Sequence, residues 1–306
     1  MRVLIAGGSG YIGRRLAGSL AADRHDIVSL SRRPESAPSQ SGVRFVKWDA
    51  RTAEGDWVNE LAGAQGIINL AGASIGKGRW TRRRMEEILS SRLSATSAIV
   101  EAVNRTPADR RPSVLVNASG IDYYGNRGDE LVTEESGPGD SFLARVSQQW
   151  EAAARQAQPL GVRVALVRTA LVFGRGALAF RLLTLPFRVF AGGPLGDGRQ
   201  WFTWIHIDDL VGLYRLALEN PKVSGPMNAV APDVRRQREV ASEIGRLLHR
   251  PAIVPAPAPL LRLVLGAQSQ LLLDGRHAVP ARARAAGYPF RFAGLHEALE
   301  DTLRAR

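Results

Sequence analysis

The stretch RVLIAGGSGYIGRRL, residues 2–16, joins a short apolar run to glycines at Gly7, Gly10 and Gly13. In a chain with 31 glycines, a Gly-x-x-Gly-x-x-Gly can arise by chance. It gains meaning where it follows a strand, opens a helix and sits in a βαβ unit, and this one reads as doing all three. Gly7 permits the tight turn, Gly10 lets backbone approach a pyrophosphate, and Gly13 lets the helix pack closely on the sheet. Tyr11, Ile12 and Gly13 lie where free N–H groups and the positive end of a helix dipole suit phosphate.

From there, short apolar runs alternate with helix-length amphipathic segments. Strands are expected at 2–6, 26–31, 44–47, 66–70, 113–118 and 162–168, with helices at 13–23, 56–61, 81–104 and 142–158. Continuous apolar strands alternating with helices predict a parallel sheet covered on both faces. The expected fold class is α/β, a doubly wound parallel sheet of Rossmann type with a smaller C-terminal lobe. Its ligand belongs at the carboxyl ends of the strands. Residues 1–170 read as the dinucleotide-binding core, with contributions from about 171–235. Residues 171–306 supply the smaller substrate-side lobe, with helix-like stretches at 208–219 and 238–248. The proline-rich RPAIVPAPAP (250–259) opens its C-terminal segment, about 250–300.

Cysteine is absent, which removes disulfides, thiolate metal ligands and cysteine nucleophiles and fits a reducing cytoplasm. The N-terminal apolar run is too short for a signal peptide. The most apolar later segments, 180–193 and 260–273, are broken by arginine, glycine or proline before the roughly 18–20 residues of a membrane span. A cytoplasmic protein without a membrane partner is the expectation. Net charge is +12, and only Lys47, Lys77 and Lys222 among the 41 basic side chains are lysine. The dense run Arg82-Arg83-Arg84 shares a helical pattern with Glu86 and Glu87 and has no aromatic platform. It reads as a solvated face and argues against nucleic acid. No histidines or carboxylates show metal-ligand spacing, so no metal is expected, and the Gly-x-Ser-x-Gly hydrolase elbow is missing.

The second strand bears on the cofactor. An NAD site usually ends that strand with Asp or Glu on the ribose 2′-hydroxyl. Here VSLSRRP ends it with Arg32 and Arg33, whose guanidiniums match a 2′-phosphate, so the expected cofactor is NADP(H).

Together with the glycine turn, NLAG (69–72), YYGNRGDE (123–130), VRTALVFG (167–174) and WIHIDDL (204–210) resemble the extended short-chain dehydrogenase/reductases, the NAD(P)-dependent epimerase/dehydratase superfamily. ASIGKGRWTRRRMEEILSSRLSAT after NLAG, GPLGDGRQWFTWIHIDDL, and LLLDGRHAVPARARAAGYPFRF (271–292) are similar to an atypical sugar-nucleotide epimerase branch with its own short C-terminal domain. The resemblance covers nearly the whole chain. It implies that Asn69, Leu70, Ala71 and Gly72 end the fourth strand beside the nicotinamide ribose. It places Asp49 near the adenine, Ser119 near the nicotinamide, and Arg168 in the cofactor-binding set. His206 and Asp208 of WIHIDDL would buttress the second lobe.

That superfamily uses Tyr-x-x-x-Lys on a helix. The lysine lowers the tyrosine pKa and holds the ribose, so the phenol can exchange a proton with a substrate hydroxyl. Four residues after Tyr11, Tyr123, Tyr124, Tyr214 and Tyr288 stand Arg15, Arg127, Gly128, Leu218 and Phe292. None is lysine. In SFLARVSQQWEAA (141–153), Phe142 or Leu143 stands at the tyrosine position and Val146 or Ser147 at the lysine position. The substitute catalytic candidates are Ser119, Tyr123 and Tyr124.

Two functional classes follow, ahead of a third, nucleic-acid association through the arginine surface. One is an NADP(H)-dependent oxidoreductase or epimerase-like enzyme on a small substrate, with proton transfer by a non-standard group. The other is a non-catalytic NADP(H)-binding protein with a redox-sensing or regulatory role. Trp201, Phe202 and Trp204 read equally as pocket wall or as core. The long helices at 81–104 and 142–158 are where such folds often pair, which leaves a homodimer open.

Overall fold

Seven strands, all paired in parallel, form the central sheet: β1 (Arg2–Ala6), β2 (Asp26–Ser31), β3 (Val43–Lys47), β4 (Gly66–Asn69), β5 (Val114–Gly120), β6 (Arg163–Thr169) and β7 (Gly225–Ala229). Their order is β7-β6-β5-β4-β1-β2-β3 in this computed structural model, which describes residues 1–304. The order reverses between β1 and β4, the position where doubly wound folds open a crevice at the carboxyl ends of their strands.

The helices of eight residues or more are α1 (Tyr11–Ala22), α2 (Arg82–Arg105), α3 (Phe142–Arg155), α4 (Leu178–Arg188), α5 (Ile207–Glu219), α6 (Gln237–Leu248), α7 (Ala258–Leu265) and α8 (Leu295–Leu303); two shorter ones span Gln270–Leu273 and Ala281–Ala285. Val3 and Ile5 of β1 join a core with Leu16 and Leu20 of α1 and Leu213 of α5. Leu4 and Ala6 join the opposite core, with Ala95 and Ile99 of α2 and Trp57. A strand buried on both faces has no polar alternation, which is why RVLIA reads as an unbroken apolar run.

The sequence reading departs from the structure in several places, among them helix α4, which was not expected. Residues 56–61 were expected as a helix, but Asp56–Glu60 is a single 3₁₀ turn that seats Trp57 against Trp48, ring centroids 5.1 Å apart. A segment that short gains too few hydrogen bonds to propagate an α-helix. Helix α1 starts at Tyr11, two residues before Gly13, because Gly10 is still extended and already serves as its N-cap. Strand β7, GPMNA, was not anticipated; Pro226 disguises it and is tolerated because β7 lies at the sheet edge.

The smaller lobe is threaded back onto the sheet domain. Leu171–Phe173 pairs with Trp204–His206, and His277–Ala278 pairs with Leu131–Val132 in the loop after β5. Asp209 accepts hydrogen bonds from the backbone N–H groups of Arg291 and Phe292 (2.8 and 2.9 Å), while Asp208 bridges Arg15 of α1 and Arg291. WIHIDDL is therefore a clasp between α1 and the C-terminal segment. Among the described residues, no helix is long and apolar enough to cross a membrane.

His206 is the buried N-cap of α5. Its Nδ1 accepts from the Asp208 N–H at 3.2 Å, and its ring lies 3.7 Å from that of Phe292. Burial lowers its pKa, outweighing the Asp208, Asp301 and Asp209 carboxylates, which pull the other way. The neutral ring is thus favoured in the folded state. Its contribution to stability is present above the unfolded imidazole value of about 6.5 and is lost as pH falls through the depressed folded value. Between pH of about 7.5 and about 5, the wild-type melting temperature is expected to fall further than that of His206→Asn, which keeps a capping acceptor but does not titrate. Equal falls in thermal melts would show that His206 does not set this dependence.

Candidate functional site

Gly7 adopts φ +80°, and a Cβ there would stand 3.0 Å from the Leu70 carbonyl carbon. The Gly10 N–H closes the turn onto the Gly7 carbonyl at 3.0 Å. A Cβ on Gly13 would meet Gly7 O at 2.5 Å and Gly8 Cα at 2.6 Å, so the start of α1 is pressed onto the turn. Gly8, which the sequence reading passed over, rests on the Ser29 side chain of β2 with no room for a Cβ. Helix α1 has no side-chain cap and no acidic residue in its first turn. Its leading N–H groups therefore lack intrahelical partners and are suited to an anion.

Neighbouring elements complete this end of the sheet. The half-buried Tyr11 places its hydroxyl beneath Gly174, where no Cβ would fit, and burial raises its pKa against the opposing pull of Arg15. Asn69 is fully buried. Its Nδ2 donates to Thr96 Oγ1 (2.9 Å) and Asn117 Oδ1 (2.7 Å), while its Oδ1 accepts from the Ala71 N–H at 3.1 Å. Asn69 thus shapes the turn that sets Leu70 and Ala71 against Gly7. Gly72 lies under Arg92, whose guanidinium donates to the Ala73 and Ile88 carbonyls and sits 5.0 Å from the Trp150 ring. Burial, with Arg84 nearby, lowers the Arg92 pKa to about 10.

Arg32 and Arg33 follow β2 and are both exposed. Among the described residues, neither lies within ion-pair distance of a carboxylate. Asp49 is also exposed, but its carboxylate is occupied by its own turn, accepting from the Arg51 N–H, the Thr52 N–H and the Thr52 hydroxyl. Those bonds lower its pKa although its partial burial works to raise it.

At the ends of β5 and β6 the structure shows a buried hydrogen-bond network. Arg168, expected at the cofactor, is buried and fully engaged: Nε and Nη2 grip Glu151 at 2.7 and 2.9 Å, and Nη1 donates to the Tyr124 hydroxyl at 2.8 Å. The Ser119 hydroxyl donates to Glu151 Oε1 at 2.8 Å, and the Tyr124 hydroxyl donates to Asn228 Oδ1 at 2.8 Å. Burial drives the Tyr124 phenol up to about 12 despite Arg168 and Asn228. The Tyr124 side chain is fully enclosed. Tyr123 is half-buried, more open than Ser119 or Tyr124, with its ring 3.5 Å from the Arg168 guanidinium carbon.

The missed partner was Glu151. It falls on the apolar stripe of α3, with Leu143, Ser147, Trp150 and Ala154, and a carboxylate on a buried stripe demands a cation. Leu143 and Ser147 face inward from α3, and Ser147 Oγ lies 3.5 Å from where a Gly120 Cβ would stand. A phenol and an ammonium are both missing from that face.

The C-terminal segment reaches this same end of the sheet. Arg276 pairs with Asp122 at 2.7 Å and donates to the Gly125 carbonyl. Leu271, like Ile75 and Phe142, packs against the cluster of Trp80, Ile88, Leu143 and Val146, and burial raises the Asp274 carboxyl against the pull of Arg276. Trp201 is stacked between His277 (4.0 Å) and Arg236 (4.0 Å), while Trp204 is core, stacked on Phe173 at 5.0 Å. Among the described residues, no three His, Cys, Asp or Glu side chains form a group that could hold a metal.

Residues 3–230 match the NAD dependent epimerase/dehydratase family, and residues 256–302 match a domain of unknown function, DUF1731. The chain is 38% identical over 304 residues to a chloroplastic epimerase family protein SDR39U1 homolog of Arabidopsis thaliana, covering 99% of this chain and 87% of that one. It is 34% identical to the epimerase family protein YfhF of Bacillus subtilis over 308 residues, covering 100% and 99%. The crystal structure of human epimerase family protein SDR39U1 (isoform 2) with NADPH superposes with a TM-score of 0.86 at 35% identity, covering 99% of each chain. These likenesses run through both the glycine turn and the C-terminal segment, and the chain belongs to the NAD dependent epimerase/dehydratase family.

Proposed function

We propose that this chain binds NADP(H) at the glycine turn and carries out hydride chemistry on a small substrate, without the Tyr-x-x-x-Lys pair. The observation that carries the cofactor choice is the pair Arg32 and Arg33, exposed after β2 with no carboxylate beside them. Their guanidiniums suit a 2′-phosphate and would leave a bare 2′-hydroxyl without its acceptor. The NADPH in the related human structure supports the same reading. Gly7, Gly10, Gly13 and the leading N–H groups of Tyr11 and Ile12 would hold the pyrophosphate. The turn Asn69-Leu70-Ala71-Gly72, packed on Gly7, would border the sugars. Asp49 would mark the adenine edge. The nicotinamide supplies a hydride when bound. Among the candidate groups of this chain, Tyr123 is the phenol left able to move a proton at a substrate oxygen.

A second reading, binding without turnover in a redox-sensing or regulatory role, is favoured by one observation: Leu143 and Ser147 occupy the inward face of α3, and Ser119 and Tyr124 are locked in a buried network. Loss of NADPH absorbance over a panel of aldehydes, ketones and sugar nucleotides supports the enzyme. Tight NADPH binding with no turnover on that panel supports the sensor.

The cofactor assignment has its own test. In fluorescence titrations, Arg32→Ala/Arg33→Ala is expected to weaken NADPH about tenfold to hundredfold while leaving NADH within about twofold, as charge-assisted hydrogen bonds contribute about 1.5–3 kcal/mol. Tighter binding of NADH than NADPH by the wild-type chain would overturn the assignment.

A further inference from the structure

The two apolar segments that are too short and too broken to span a membrane are both exposed and are tied together through the run 250–258, which pairs with residues 192–196. Helix α4 buries only Phe180, Thr184 and Phe187, leaving Leu178, Leu182, Leu185, Val189 and Phe190 exposed along and just beyond its outer face. Helix α7, APLLRLVL, has no buried residue at all. The chain between them links the two: the Val254 N–H donates to the Gly192 carbonyl at 3.0 Å, and the Arg250 guanidinium sits 4.4 Å from the Phe190 ring. The result is an exposed apolar face of the kind that marks an interaction surface.

Its charge says what it meets. Residues 176–196 and 247–273 carry Arg181, Arg188, Arg250 and Arg262 and no Asp or Glu; at their margins Glu243 is already paired with Arg246 and the Asp274 carboxylate lies near Arg262. A second copy of this chain docked by two-fold symmetry would bring two faces of the same positive charge together. The shape narrows the choice further. Ile253 is 79% exposed, Leu263 76%, Val189 64% and Phe190 58%, so these side chains protrude instead of lining a groove for a peptide. Protruding aliphatic and aromatic groups ringed by arginine match a bilayer interface, with apolar tips among the acyl chains and guanidiniums at anionic headgroups.

We propose that the α4–α7 face docks this protein reversibly on an anionic lipid surface. The chain lies on the bilayer and does not cross it. Docking also orients the candidate site, because Arg79 donates to the Leu263 carbonyl and Gln268 to the Ile75 carbonyl, joining this face to the loop after Gly72.

The test is co-sedimentation of the full chain with vesicles of phosphatidylcholine alone or with about 30% phosphatidylglycerol, at low and at physiological salt. Binding is expected to the phosphatidylglycerol vesicles and to weaken with salt. With net charge at +12, attraction to any polyanion must be separated from docking by this face. Phe190→Ser/Leu263→Ser keeps the charge and alters only exposed residues. It is expected to lower vesicle affinity at least about tenfold while leaving NADPH affinity and melting temperature unchanged. Three results would overturn the proposal: no vesicle binding, equal binding by the double variant, or a solution dimer or acidic-peptide complex that this variant abolishes while vesicle binding persists.

Discussion

Arg168→Met is expected to lower the unfolding free energy by about 3–5 kcal/mol, because it strands a buried carboxylate. Glu151 receives both guanidinium donors of Arg168 and the Ser119 hydroxyl, and each of these three side chains is buried. Removing the cation leaves the Ser119 hydroxyl and Arg155 at 3.4 Å, the latter on an exposed side chain, as the bonds left to Glu151. The Tyr124 hydroxyl also loses the donor that faces it at 2.8 Å. The partners should reveal themselves as a pair. Glu151→Met/Arg168→Met, which removes both charges, is expected to recover much of the single-variant loss, since a buried ion pair gains little over apolar groups of similar volume. Urea denaturation of the wild type, both single variants and the double variant measures this coupling. A loss below about 1 kcal/mol for Arg168→Met would mean that Glu151 is stabilised by solvent or by another cation and that the network is not closed.

This network shows where sequence reading stops. The sheet was legible because each strand is buried on both faces, so apolar runs stood out from amphipathic helices without any tertiary information. The glycine turn was legible for a similar reason: its requirements are local, imposed by backbone within a dozen residues. Arg168 was not legible in the same way. Its position in VRTALVFG put it at the end of β6, but whether it faces a ligand or a buried acid depends on α3, and on Glu151 seventeen residues earlier. A carboxylate on the apolar stripe of that helix was the available signal. Asp49 and Asn69 show the same limit, since strand-end polar residues can serve a ligand or their own turn. Here both make turn hydrogen bonds. The apolar segments at 180–193 and 260–273 were visible as composition, yet only the fold shows that both are exposed and tied together through residues 250–258.

Gly13→Ala is expected to abolish measurable NADPH binding, a loss of at least about hundredfold, and to destabilise the fold by about 1–3 kcal/mol. Its Cβ would stand 2.5 Å from Gly7 O and 2.6 Å from Gly8 Cα, and these are backbone atoms that no rotamer change can move aside. The helix must shift away from the turn, taking with it the N–H groups proposed to hold the pyrophosphate. Gly10 separates the two consequences. A Cβ there would have one close neighbour, Gly7 O at 3.2 Å, so Gly10→Ala should leave the melting temperature within a few degrees of wild type. If Gly10 is bare so that a pyrophosphate can approach the backbone, this variant still loses NADPH binding by at least about tenfold. Gly76, where a Cβ would meet nothing within 4 Å, provides the neutral control as Gly76→Ala. Should Gly10→Ala bind NADPH as tightly as the control does, the glycine at position 10 serves the turn alone, and the pyrophosphate must be held elsewhere along it.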